Sequence, residues 1–188
     1  MPERGESGAV TTQGLSPLAV LIGPPAAGKT RLGKRVARIL SVPFLDTDTL
    51  IEAEHGAIPE IFAEHGEPVF RRWEAEAVDS ALAQRAVVAL GGGAVMTPKT
   101  AEALRALPVV LLTISPEAVA ARIENAKRPL LTGGIDRWTE LVATRMPVYE
   151  SLATVRWDTS RRPLSQIAEE IATWVRTLPV HESPGGPS

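Results

Sequence analysis

Apolar residues gather in five short runs, at 18–22 (LAVLI), 43–45 (PFL), 87–90 (VVAL), 109–114 (VVLLTI) and 154–157 (TVRW). Most are unbroken rather than alternating, the pattern of strands covered on both faces of a parallel sheet. Between the runs, apolar positions recur every three or four residues. That spacing predicts helices near 29–40, 47–55, 58–64, 68–84, 98–106, 116–125, 136–151 and 164–178. In the first, Leu32, Val36, Ile39 and Leu40 share a face; in the last, Leu164, Ile167, Ala168, Ile171, Trp174, Val175 and Leu178 form one stripe. Strands alternating with helices imply right-handed crossovers and an open α/β sheet. Ligands of such sheets bind at the carboxyl ends of the strands.

The two ends lack this periodicity. Residues 1–16 are rich in Gly, Ser, Thr and Glu, and residues 179–188 read PVHESPGGPS. Both are expected to be disordered tails around a single domain at 17–178. A chain of 188 residues is long enough for one domain with a full core.

Composition narrows the function. A net charge of -2 argues against nucleic acid as the main partner. The absence of cysteine removes disulfides, thiolate metal sites and cysteine nucleophiles. His55, His65 and His181 have no metal-ligand spacing. No apolar run approaches the ~20 residues of a membrane span, and residues 1–16 carry no signal-peptide pattern. A cytoplasmic enzyme is the expectation.

The chemistry begins where the first strand ends. Gly23-Pro-Pro-Ala-Ala-Gly28-Lys29-Thr30 reads G-x-x-x-x-G-K-T, between a strand and a helix. In such a P-loop, backbone N–H groups cradle an anion and the helix N-terminus adds its positive dipole. Lys29 supplies charge to the terminal phosphates, and the Thr30 hydroxyl is a magnesium ligand. GTPases, motor ATPases and small-molecule kinases all use this loop.

Weaker motifs follow. Phe44-Leu-Asp-Thr-Asp48 puts two carboxylates at the end of the second strand. One suits a metal-bound water and the other a substrate hydroxyl; either also suits a helix cap. In Phe70-Arg-Arg-Trp-Glu74, Arg71 and Glu74 are helix-surface neighbours. The pair is either a pre-aimed fork for a carboxylate or phosphate, or an ordinary surface ion pair. Gly91-Gly92-Gly93 follows the third strand, and three glycines imply close approach of a ligand to the backbone, or else a loose turn. Lys127-Arg-Pro-Leu-Leu-Thr-Gly-Gly134 describes a lid near 125–137, or a plain loop. Arg145-Met-Pro-Val-Tyr-Glu150 and Arg161-Arg162-Pro163 complete the set.

These elements, in this order, closely resemble the shikimate kinase family over about residues 18–176. The resemblance implies an open five-stranded parallel sheet with helices on both faces, of the P-loop nucleoside-monophosphate-kinase type. It adds a lid and a small substrate-binding subdomain. The implied activity is ATP-dependent phosphorylation of the 3-hydroxyl of shikimate, in aromatic amino-acid biosynthesis. Lys29, Asp48 and Arg128 are implied as catalytic. Ala26, Ala27, Gly28, Lys29, Thr30, Arg31, Arg122, Arg128, Arg162 and Pro163 are implied to bind ATP. Asp48, Arg71, Gly91, Gly92, Gly93 and Arg145 are implied to bind shikimate, and Thr30 with Asp46 (through water) to hold Mg2+. No nucleic acid or membrane is expected as a partner, and the chain is expected to be a monomer. The rival readings are another sugar-acid kinase, such as a gluconate kinase, and a nucleotide-binding module without catalysis. One departure stands out. The family often has Gly where this chain has Ala26, and alanine disfavours positive φ.

Overall fold

The computed structural model describes residues 16–126 and 134–179, the side chains of 123–126 excepted. Arg128, most of the lid segment and nearly all of both tails lie outside the described residues.

Five strands form one all-parallel sheet: β1 (Ala19–Ile22), β2 (Phe44–Asp46), β3 (Val87–Ala89), β4 (Val109–Thr113) and β5 (Val155–Asp158), in the order β2-β3-β1-β4-β5. Central β1 is buried throughout, with Leu21 opposite Ala89 of β3 and Val110 of β4. Its side chains alternate between the two faces. Ala19 and Leu21 join the core beneath α1 (Lys29–Leu40) and α7 (Leu164–Thr177), with Leu32, Val36, Ile167 and Ile171. Val20 and Ile22 join the opposite core, with Val78 of α3 (Ile58–Leu82) and Tyr149 of α6 (Gly134–Leu152). Both layers that a parallel sheet needs are therefore present. Edge strand β5 alternates between half-buried and exposed positions, because only one of its faces is covered.

A third, small cluster lies off the sheet. Ile51 of α2 (Thr47–His55) packs with Ile61 and Phe70 of α3. Helix α3 is two helical stretches joined at Gly66, whose φ of 77° breaks the helix two residues before Pro68. The break agrees with separate helices expected at 58–64 and 68–84, and it bends α3 around α2. The remaining helices are α4 (Pro98–Leu104) and α5 (Pro116–Ala126), with a 3-10 turn at Ala94–Met96. That turn was not expected from the sequence. It forms because the carbonyls of Gly91 and Gly93 accept from Ala94 N and Met96 N. Helix α6 starts at Gly134, two residues before its expected start.

Candidate active site

The carboxyl ends of β1, β2 and β3 converge on a cleft of about 1030 Å³, walled by the P-loop, Asp46, Asp48, Arg122 and Pro163. The loop's shape is set by its glycines. Gly23 has φ 139°, and a Cβ there would lie 2.2 Å from the Leu112 carbonyl oxygen. Gly28 has φ 88° and precedes α1 without any side-chain cap. The first-turn N–H groups of α1 are thereby left for an anion. Ala26 adopts φ 68°, the left-handed region. A non-glycine residue there costs about 1–2 kcal/mol, so the concern raised by this position in the sequence has a structural basis.

Lys29 Nζ donates to the carbonyls of Gly23 (2.8 Å) and Pro24 (3.0 Å). Burial lowers its pKa to about 8, against the pull of Asp48 and Asp46; Arg145 lowers it further. Thr30 Oγ1 donates to Asp46 Oδ2 at 2.6 Å. The other oxygen of Asp46 accepts from Asp48 N and Thr49 N, capping α2. Asp46 thus takes the helix-cap role that its motif allowed, and its second oxygen also accepts from the P-loop threonine. Asp48 is different. Burial raises its carboxyl to about 6, Asp46 adds to the rise, and Lys29 resists it.

The three glycines each face a different candidate side chain. A Cβ on Gly91 would lie 2.4 Å from Asp48 Oδ1. One on Gly92 would lie 3.4 Å from Arg145 Nη1, and one on Gly93 would lie 2.7 Å from Arg71 Nη1. None of the three has positive φ. Gly91 and Gly93 are glycines for space, which side chains of this chain occupy; a Cβ on Gly92 would make ordinary contacts. Gly91 N donates to the buried Thr47 hydroxyl at 3.0 Å, and the Tyr149 hydroxyl donates to the Gly92 carbonyl, so the loop is held at both positions. Arg145 lies one turn before Tyr149 on α6, and both side chains reach the Gly92 position.

Arg71 is held between two carboxylates, Glu74 at 2.7 Å and Glu67 at 3.1 Å. Glu74 is only 2% exposed. The surface-pair reading of Arg71 and Glu74 therefore fails: Glu74 is a buried acid that fixes the guanidinium. Its burial raises its pKa, and Arg71 then Arg145 pull it back.

At the other end of the cleft, Arg122 donates to the carbonyls of Ala26 (2.6 Å) and Thr159 (2.5 Å). Arg31 and Pro163 line the wall. Arg162 is engaged by Glu170 of α7, with one contact at 3.1 Å. Trp138 and Thr159 were not singled out by sequence, yet both bind P-loop carbonyls, Pro25 O at 3.0 Å and Ala27 O at 2.9 Å. Among the described residues, no cluster of three or more His, Cys, Asp or Glu could hold a metal by itself.

The shikimate kinase family model matches residues 25–176. That is most of the chain. It belongs to the shikimate kinase family. A shikimate kinase of Mycobacterium avium is 48% identical over 153 residues, 79% of this chain and 87% of that protein. One from Rhodococcus jostii is 40% identical over 162 residues, 84% of this chain and 96% of that protein. A solved shikimate kinase from Acinetobacter baumannii in complex with shikimate superposes with a TM-score of 0.78 at 32% identity. That match covers 88% of this chain and 95% of the other. The five-stranded sheet implied by the family resemblance is the one observed.

The glycine geometry makes a prediction for a shikimate kinase. In Gly93→Ala, the new methyl displaces the Arg71 guanidinium without touching the P-loop. On the role that the family resemblance implies for Arg71, KM for the acid is expected to rise about tenfold, since charged hydrogen bonds contribute ~1.5–3 kcal/mol each. KM for ATP is expected to stay within about twofold. Steady-state kinetics with both substrates varied check this; equal changes in both constants would contradict the placement of Arg71.

Proposed function

We infer that this chain is an ATP-dependent kinase that phosphorylates shikimate at its 3-hydroxyl, a step of aromatic amino-acid biosynthesis. One observation carries the reading. Gly91, Gly92 and Gly93 bring Asp48, Arg145 and Arg71 together beside the P-loop. One carboxylate and two guanidinium groups next to a phosphate-binding loop suit a hydroxy acid and a nucleoside triphosphate. Arg71 and Arg145 hold the acid's carboxylate, and the Gly91–Gly93 backbone borders its ring. Asp48 accepts the proton of the attacking hydroxyl. That oxygen bonds to the γ-phosphorus as the bond to the β–γ bridging oxygen breaks, and ADP leaves. Lys29 offsets the charge that develops on the transferred group.

ATP lies along the loop from Ala26, Ala27 and Gly28 to Lys29, Thr30 and Arg31. Arg122, Arg162 and Pro163 border its base. Arg128, outside the described residues, is assigned to the phosphates on the family resemblance alone. The oxygens of Thr30 and Asp46 suit Mg2+, a hard cation that takes few protein ligands and keeps its waters. Mg2+ neutralises charge on the β- and γ-phosphates when bound. A monomer is the proposed state, checked by light scattering on the purified chain. Among the described residues no helix is long and apolar enough to cross a membrane. A cytoplasmic location is the proposal, as ATP is available there.

The paired arginines also suit other sugar acids, so the test is a panel. ADP release coupled to a reporter enzyme is expected to give a kcat/KM for shikimate at least a hundredfold above that for gluconate. Comparable values for both would favour a broader sugar-acid kinase. No turnover with any acid would favour a nucleotide-binding module.

A further inference from the structure

The P-loop of this chain is anchored by its carbonyls. Lys29 holds those of Gly23 and Pro24, Trp138 Nε1 holds that of Pro25, Arg122 Nη1 that of Ala26, and Thr159 Oγ1 that of Ala27. Four side chains thus hold five successive carbonyls, and three of the four, Trp138, Arg122 and Thr159, come from outside the loop. A peptide N–H points opposite to the carbonyl of its own plane. The bond from Trp138 to Pro25 O therefore aims Ala26 N–H, and the bond from Thr159 to Ala27 O aims Gly28 N–H.

Ala26 sits between the peptides gripped by Trp138 and Arg122. Fixing both planes fixes the φ and ψ of the residue between them. That residue is in the left-handed region, at φ 68°. A strained dihedral of this kind persists only where its surroundings over-determine it. Here the clamps come from α6 and α5, remote in sequence, and Trp138 is only 2% exposed in the core, so it is rigidly placed.

We propose that Trp138 is a positioning residue for nucleotide binding: with Arg122 it holds Ala26 left-handed, offsetting the alanine in a loop position suited to glycine. The proposal rests on the nucleotide-site reading above. A buried indole N–H needs an acceptor in any case, so loss of stability in a Trp138 variant decides nothing. Coupling to position 26 does. With glycine at 26 the loop reaches the same conformation unaided, and the Trp138 bond becomes dispensable for binding.

The test is a double-mutant cycle read by calorimetric titration with a non-hydrolysable ATP analogue. Trp138→Phe removes the donor and is expected to weaken the analogue's Kd about tenfold in the Ala26 background. In the Ala26→Gly background the same change is expected to weaken it by no more than about twofold, with KM for shikimate unmoved in both. Should Trp138→Phe fold poorly, benzothienylalanine at 138 keeps the bicyclic ring and removes only the N–H. The same tenfold-against-twofold contrast is expected with it. Equal fold-changes in the two backgrounds, or none in either, would overturn the proposal while leaving the nucleotide site standing. A wild-type chain that binds no analogue would overturn both.

Discussion

Lys29→Met is expected to lower kcat by ~10²–10³ while the protein stays folded, the loss that follows removal of one preorganised charge stabiliser at a transferring group. The folded state tolerates the change for an electrostatic reason. Burial lowers the lysine's pKa to about 8. Its ammonium is therefore better solvated in the unfolded chain, and below that pKa it costs the fold stability, a cost relieved as pH rises from about 8 towards the ordinary lysine value. Methionine keeps the length and removes the charge. The melting temperature at pH 7 is expected to stay within a few degrees, because removing the buried charge offsets the lost bonds to the Gly23 and Pro24 carbonyls, while turnover falls. Differential scanning calorimetry and the ADP-release assay together check this. A variant that melts normally and turns over within a few-fold of wild type would remove Lys29 from the mechanism.

This combination, stable but inactive, depends on where the lysine sits, and the sequence made that position legible. Gly23, Gly28, Lys29 and Thr30 have a fixed spacing because loop geometry demands it, so the residues alone place them. The same holds for the unbroken strands and for the break in α3 at Gly66, where a glycine and a proline two residues apart leave the helix no alternative. Other features depend on contacts that no local pattern encodes. The glycine triplet was legible as a close approach, but the approaching atoms belong to Asp48, Arg145 and Arg71. The spacing of Arg71 and Glu74 made them neighbours, but only the packing of α3 buries Glu74. Trp138 and Thr159 reach carbonyls 113 and 132 positions away. In sequence they look like an ordinary core aromatic and a residue after an edge strand. Arg128 and most of the lid segment remain expectations from the sequence, outside the described residues.

Asp48→Asn tests the other half of the chemistry, and its signature is a fall in kcat of ~10²–10⁴, the usual contribution of a positioned general base. Asparagine keeps the shape and one acceptor oxygen, so KM for shikimate is expected to move by only a few-fold. The pH profile supplies the independent check. Asp48 must be ionised to accept a proton, and its carboxyl is raised to about 6. Lys29 must be protonated to offset phosphate charge, and it titrates near 8. The two groups interact, so the limbs belong to the pair rather than to single residues. The kcat/KM of the free enzyme is expected to rise to about pH 6, level off, and fall above about pH 8. In Asp48→Asn the acid limb disappears and the alkaline limb stays. Stability moves the opposite way from activity. A carboxyl whose folded pKa is raised binds its proton more tightly in the native state, so stability falls as pH climbs from about 4 to about 6. At pH 7 that cost is fully present. Asparagine removes it, and the melting temperature is expected to rise by several degrees. A variant with intact kcat and a raised KM for shikimate would make Asp48 a binding group only, and the proton would leave by another route.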